Sequence, residues 1–154
     1  MQTSLAIGAE DIASGRCFDV AWLKAHGMPA SHRNLKLGAG PRLGALLDLV
    51  SPARASWNGH SASAWKRDIL AVNGFDERMR YGGEDREFGE RLENAGVRGL
   101  RIRHRAATIH LDHARGYVTA EGIEFNRRLR EETRRTRRTW TEYGIVKGPP
   151  PQPA

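Results

Sequence analysis

The chain is short of the features that usually settle a protein's class. Its 154 residues include one cysteine, Cys17. No intramolecular disulfide can form, a cysteine-based zinc site is excluded, and a reducing compartment fits best. Aromatic residues make up only 7% and hydrophobic residues 39%, with a mean hydropathy of −0.60. That suffices for a modest core in one domain and hardly for two. No apolar run approaches the ~18 residues of a membrane span. The opening MQTSLAIGAEDIASGR has neither the basic start nor the apolar stretch of a secretory signal, so a cytoplasmic location is expected. There is no Walker A loop, no Gly-x-Gly-x-x-Gly and no Gly-x-Ser-x-Gly.

What the chain has in excess is positive charge: 25 Lys and Arg against 18 Asp and Glu, a formal net charge of +7. Such a balance points to an anionic partner, whether nucleotide, nucleic acid, lipid headgroup or acidic polysaccharide, without choosing among them. The run NRRLREETRRTRR, residues 126–138, is its densest source.

Local patterns divide the chain into four stretches. Residues 1–56 carry weak signals. LAIGAEDI suggests a short strand and a turn, FDVAWLKAHGM a short helix stopped by Gly27 and Pro29, PASHRNLKLGAGP a loop, and RLGALLDLV a helix ending at Ser51-Pro52. Residues 57–115 are more decided. SWNGHSASAW suggests a buried strand and KRDILAV a short helix. Asn73-Gly74 supplies a left-handed turn from which Phe75 plugs the core. From Glu84 onward Phe88, Leu92 and Ala95 recur at helical spacing before Gly96, and VRGLRIRH and AATIHL follow as strands. Residues 116–144 suggest one long polar helix. Phe125, Leu129, Thr136 and Trp140 form its apolar stripe, Glu124–Arg128 and Glu131–Arg135 are i,i+4 pairs, and Gly144 ends it. Residues 145–154 make a proline-rich tail expected to be disordered.

The stretch YGGEDREFGERL places Gly82 and Gly83 in front of Glu84 and Asp85 at a helix start. A helix N-terminus offers unpaired N–H groups and partial positive charge, so first-turn acids are stabilised there for structural reasons alone. A cap does not need two glycines, however. They admit a substrate close to the backbone and leave the carboxylates accessible, and a carboxylate so placed can take a proton from an attacking hydroxyl.

The order of elements from Trp57 to His113 adds a resemblance. A glycine-containing strand, then KRDILAVNGFDE, then YGGED opening a helix, then a strand ending in HLDH, resembles the C-terminal half of GT-A-fold glycosyltransferases. The nearest type is the family-2-like bacterial enzymes with a galactosyltransferase-type C-terminal domain. The resemblance implies an α/β, partial GT-A-like fold of the nucleotide-diphospho-sugar transferases, followed by the basic C-terminal helix. It implies Asp85 as catalytic base and Glu84 orienting the acceptor hydroxyl. Tyr81, Gly82, Gly83 and Trp57 would meet substrate. His110 would help to hold a divalent Mn²⁺ or Mg²⁺, with Asp112 and His113 as lesser candidates. The partners implied are a nucleotide-sugar donor and a glycan or lipid-linked acceptor. The chain departs from the family in having no Asp-x-Asp motif and no room before residue 57 for a nucleotide-binding half of ~100 residues. Ser61 also stands where Asn is usual. The acceptor side is therefore expected to be present and the donor side absent, with metal binding weak and activity doubtful in this chain alone.

The plainer readings stand beside these. HLDH by itself reads as a solvated loop after a strand, although His110 and Asp112 would share one strand face. His104 reads as a surface residue among arginines, His26, His32 and His60 suggest no partners, and Cys17 reads as a buried thiol. The arginine run reads first as a solvated, salt-bridged helix, second as a contact to an anionic membrane surface at the inner face, and third as a nucleic-acid contact. Few aromatics interleave it, which disfavours nucleic acid. A non-catalytic module holding an anionic partner through this helix is the alternative to a glycosyltransferase.

Overall fold

Helices account for most of the regular structure. The computed structural model describes residues 2–3, 7–29, 31, 34, 37–52, 54–106, 108–111 and 118–150. Among them lie α1 (Ala9–Ala13), α2 (Val20–Ala25), α3 (Gly40–Val50), α4 (Lys66–Ala71), α5 (Glu84–Asn94) and α6 (Ala120–Thr136). Two short strands, β1 (Gln2–Thr3) and β2 (His110–Leu111), pair in parallel with Gln2 opposite His110. The contacts group into two units: Met1–Ala53 with Arg101–Ala114, and Arg54–Leu100 with Arg115–Ala154.

This corrects the expected α/β balance. Residues 57–65 form no strand, and between Trp57 and Trp65 the small and polar side chains of 58–64 offer little apolar area to a sheet face. VRGLRIRH is not a strand either, and AATIHL contributes only His110 and Leu111 to one. In the first case the arginines are used otherwise. Arg101 donates from Nη2 to the carbonyls of Asp48 (2.9 Å) and Ser51 (2.8 Å), satisfying the end of α3 where the helix leaves carbonyls unpaired. Of LAIGAEDI, Leu5 and Ala6 lie outside the described residues, and the remainder turns into α1 at Ala9, with the Asp11 carboxylate accepting the Gly8 N–H at 3.1 Å.

In the first unit α2 starts where Asp19 Oδ1 accepts the N–H groups of Ala21 (2.7 Å) and Trp22 (3.0 Å), an ordinary N-cap. Leu23, Met28 and the Cys17 thiol are buried. His26 stacks on Trp22 with ring centroids 4.0 Å apart, and its Nδ1 lies 2.8 Å from the Trp22 carbonyl. His104 is half-buried rather than a surface residue. Its N–H donates to Asp48 Oδ1 at 3.0 Å, its Nδ1 lies 2.9 Å from the same oxygen, and Arg105 Nε donates to Asp48 Oδ2 at 3.0 Å. Desolvation pushes the Asp48 carboxyl up, but the bonds from His104 and Arg105 outweigh it and hold the group down at about 2. Opposite this anchored side, α3 exposes Leu43, Leu46, Leu49 and Val50.

The second unit is built on Val72, Phe88 and Leu92, with Trp57, Ile69 and Val97 packed around them. Phe75 is 43% exposed, so it covers the core rather than plugging it; its ring stacks on Phe88 at 4.4 Å. Asn73 does more than make a turn. It adopts φ 64 and is buried. Its Nδ2 donates to the carbonyls of Thr141 (2.7 Å) and Val146 (2.6 Å), and its Oδ1 accepts the Val146 N–H (2.8 Å). The segment after α6 is thereby fastened to the Asn73–Gly74 turn. Trp140 Nε1 donates to the Gly148 carbonyl at 3.1 Å, so the tail is held through residue 148 rather than disordered from 145.

Helix α6 is shorter than its pattern suggests. It stops at Thr136 because Arg137 turns left-handed at φ 53, and Asn94 Nδ2 donates to the carbonyls of Thr133 (3.2 Å) and Arg138 (2.9 Å). Its buried face is Asn126, Leu129 and Thr133, whereas Phe125 is 43% exposed and Thr136 faces solvent. The face is polar because it meets a buried ion pair on α5. Arg91 Nε donates to both Glu87 oxygens at 3.0 Å, and Thr133 Oγ1 donates to Glu87 Oε1 at 2.8 Å. Burial pushes the Arg91 guanidinium down from its ordinary value against the pull of Glu87. With its remaining nitrogens donating to the carbonyls of Val72 and Gly74, the charge is fully bonded, as a buried charge must be.

Candidate functional site

The Tyr81–Asp85 turn opens α5 as expected. Gly82 and Gly83 have φ 114 and 99, backbone that side chains other than glycine rarely adopt. The turn is closed by Glu84, whose Oε2 accepts the Gly82 N–H at 2.6 Å. Asp85 reaches in two directions: Oδ1 accepts the Arg86 N–H at 2.8 Å and Oδ2 the Gly59 N–H at 3.0 Å. Both carboxylates are half-buried. Each Asp85 oxygen has a second lone pair, and Glu84 Oε1 has no hydrogen bond among the described residues. The two acids can therefore still accept protons or hydroxyl groups from a ligand.

The glycines have a structural reason that the sequence did not show. A Cβ on Gly82 would stand 3.2 Å from Ile123 Cγ1, and one on Gly83 would stand 3.1 Å from Arg130 Cδ. Both neighbours belong to α6. The space that two missing side chains leave is thus occupied by the C-terminal helix, and the glycines alone are no argument for a substrate. Asn126 of α6 continues the same contact. It is fully buried and donates from Nδ2 to the carbonyls of Arg80 (2.7 Å) and Gly82 (3.2 Å), one on either side of Tyr81. Sequence reasoning missed Asn126, Ile123 and Arg130. A signal was present: Asn126, Leu129 and Thr133 fall at i, i+3 and i+7, the only uncharged face of the arginine run.

The other expected site residues divide. Tyr81 is half-buried at the turn. The Trp57 ring, expected to meet sugar, packs edge-on against Phe88 with centroids 4.7 Å apart and interplanar angle 87°. His110 lies in β2, in the first unit, whereas Glu84 and Asp85 lie in the second. Asp112 and His113 lie outside the described residues. Among the described residues no three of His, Cys, Asp and Glu stand together as ligands. A hard divalent ion wants several oxygen ligands, so the described residues do not fit one. A cavity of about 270 Å³ in the first unit is lined by Val20, Lys24, Met28 and Pro29 among others, and by none of the expected site residues. No helix among the described residues is long and apolar enough to cross a membrane.

Comparison with known proteins bears on the segment that holds the turn. Residues 51–114 match the family model described as the N-terminal domain of galactosyltransferase. That description names the N-terminal part of such an enzyme, where the resemblance read from the motifs named the C-terminal half; the type of enzyme is the same. No curated protein and no solved structure gives a significant match. The match takes in the Asn73–Gly74 turn, the Gly-Gly-Glu-Asp turn and β2, and it supports a galactosyltransferase-type glycosyltransferase domain over residues 51–114.

Proposed function

We propose that this domain is the acceptor-side portion of a GT-A-type glycosyltransferase that moves a sugar from a nucleotide-sugar to an acceptor hydroxyl with inversion. The observation that carries the reading is the Gly-Gly-Glu-Asp turn within the matched segment, with two carboxylates at one helix start and lone pairs left over on both. Asp85 serves as base. It takes the acceptor hydroxyl proton while the oxygen bonds to the anomeric carbon, and the diphosphate leaves with the electron pair of the broken C–O bond. Its bond to Gly59 fixes the carboxylate, and Glu84 receives a neighbouring sugar hydroxyl. Tyr81 offers an aromatic edge beside the turn. The carboxylates that a divalent ion and a donor diphosphate would need are to be supplied by a separate donor side, and little or no transfer is expected from the 154 residues alone.

The reading is tested on the chain as it stands, by saturation-transfer NMR with methyl glycosides of glucose, galactose and N-acetylglucosamine. At least one should bind with about millimolar affinity, the range of a few sugar hydrogen bonds. Glu84→Gln should abolish that binding while the circular dichroism stays unchanged. No binding of any glycoside, or binding indifferent to Glu84→Gln, would remove the acceptor-site assignment.

The arginine-helix alternative loses support from the pairing. Arg127 binds Glu124 at 2.7 Å and also Glu131, Arg128 binds Glu124 at 3.0 Å, and Arg130 binds Glu90 at 2.7 Å. The expected Glu124–Arg128 pair forms, whereas Glu131 turns back to Arg127. Most of the run is engaged within the protein itself.

A further inference from the structure

We infer that Asn126 is a positioning residue for the Tyr81–Asp85 turn, and that α6, which lies beyond the family-matching segment, is part of the acceptor site. The inference rests on the acceptor-side reading above. Three observations meet here. Asn126 is fully buried in the middle of α6, on the one face it shares with Leu129 and Thr133. Both Nδ2 donors of the buried amide are used on the turn, at the carbonyls of Arg80 and Gly82, whereas its buried Oδ1 accepts no hydrogen bond among the described residues, so the turn is all that the amide group is bonded to. These carbonyls bracket Tyr81, and Gly82 in turn gives its N–H to Glu84.

A chain of bonds therefore runs from α6 through the turn to the first carboxylate. Arg80 and Gly82 have no sheet or helix to fix their peptide planes, since residues 79–83 lie outside regular structure. Asn126 supplies that fixation from one side. Ile123 and Arg130 close the space over Gly82 and Gly83 one turn before and one turn after it on α6. Spacings of three and four residues put all three on one helix face, so a single helix sets the turn's height and its tilt. The turn's shape is thus specified partly by residues 120–130, outside the matched segment 51–114. Asn126 is itself inaccessible and touches no ligand; it acts through Gly82 and Glu84.

The test compares the chain with Asn126→Leu, a near-isosteric change that removes both donors, and with Leu129→Ala, which loosens the same helix without touching the turn. Amide hydrogen exchange is followed at Gly82, Gly83 and Asp85 and at Arg91–Asn94 inside α5. Under conditions where both variants remain folded, Asn126→Leu should speed exchange at the turn by about tenfold more than within α5, the scale of a lost buried hydrogen bond. Leu129→Ala should move the two regions equally. Glycoside affinity should fall by about tenfold in Asn126→Leu and stay near the original in Leu129→Ala. Equal acceleration across turn and helix in Asn126→Leu would overturn the inference and leave Asn126 as a packing residue. Selective acceleration in a chain that binds no glycoside would keep Asn126 as the turn's positioning residue and refute the acceptor site instead. If Asn126→Leu fails to fold, Asn126→Asp, which keeps the volume and loses the amide donors, is put through the same comparison and judged by the same outcomes.

Discussion

Asp85 spends one lone pair of each oxygen on a backbone N–H, at Arg86 and at Gly59, and this fixes the direction of the remaining two. Replacing it by Asn swaps one of these acceptors for an NH₂ group and removes the proton acceptor altogether. In an assembled, active enzyme Asp85→Asn should lower kcat by a factor on the order of 10² or more, the usual scale for losing a general base. Turnover close to that of the parent, measured with the parent's donor and acceptor, would take the base role away from Asp85. A second single residue governs the first unit. The Asp48 carboxyl is held at about 2 against desolvation by the His104 N–H, the His104 ring and Arg105. A carboxyl lowered in the folded state stabilises above its unfolded value and loses that contribution as the pH falls through the folded one. The stabilising effect of Asp48 should therefore be complete at neutral pH and decline between about pH 4 and about pH 2. Thermal unfolding of the parent and of Asp48→Asn, followed over this range, should give midpoints that converge as the pH drops. A gap that stays constant would show that the charge of Asp48 contributes nothing.

At the scale of elements, the turn and the C-terminal helix depend on each other. Gly83 has φ 99 and ψ 6, and α6 fills the space in front of it. Gly83→Ala should destabilise the second unit by about 1–2 kcal/mol from backbone strain alone, with more if Arg130 cannot move aside. Urea titration of the two proteins checks this, and an unchanged midpoint would mean that neither the left-handed backbone nor the α6 contact holds in solution. The same dependence shows what the sequence could and could not reveal. Helices α2, α3 and α5 were legible because each carries a local mark, namely Gly27 and Pro29 as stop, Ser51-Pro52 as stop, and the Phe88–Leu92 spacing before Gly96, and α4 was legible in the KRDILAV pattern. The strands were misread because alternation of Arg with apolar residues in VRGLRIRH looks the same whether the arginines face solvent or, as Arg101 does, bind the end of α3. The partners of Asn73 and Asn126 were invisible, since 68 and 46 residues separate Asn73 from Thr141 and Asn126 from Arg80. The carboxylate turn could be located from sequence, but the reason for its glycines could not, because that reason sits on α6.

For the molecule as a whole, the net charge of +7 no longer argues for an anionic docking face on α6. The helix carries five arginines against four glutamates between Ala120 and Thr136, leaving it +1, and exposed pairs of this kind are largely self-satisfied. What the whole chain needs is better judged from its metal chemistry. His110 lies in β2, and among the described residues no further pair of His, Cys, Asp or Glu joins it in a ligand cluster. One imidazole holds Mn²⁺ or Mg²⁺ poorly, because these ions demand several oxygens and commonly borrow them from phosphates. The sequence also has no Asp-x-Asp motif to add two carboxylates. Titration calorimetry of the 154-residue chain with Mn²⁺, and with uridine and guanosine diphosphate sugars in its presence, should give no saturable binding in the micromolar range. The glycoside binding of the Tyr81–Asp85 turn should be indifferent to added Mn²⁺, since no metal ligand is assigned there. Micromolar binding that disappears in His110→Ala would show that this chain already holds a complete donor site, and the half-enzyme reading would be wrong.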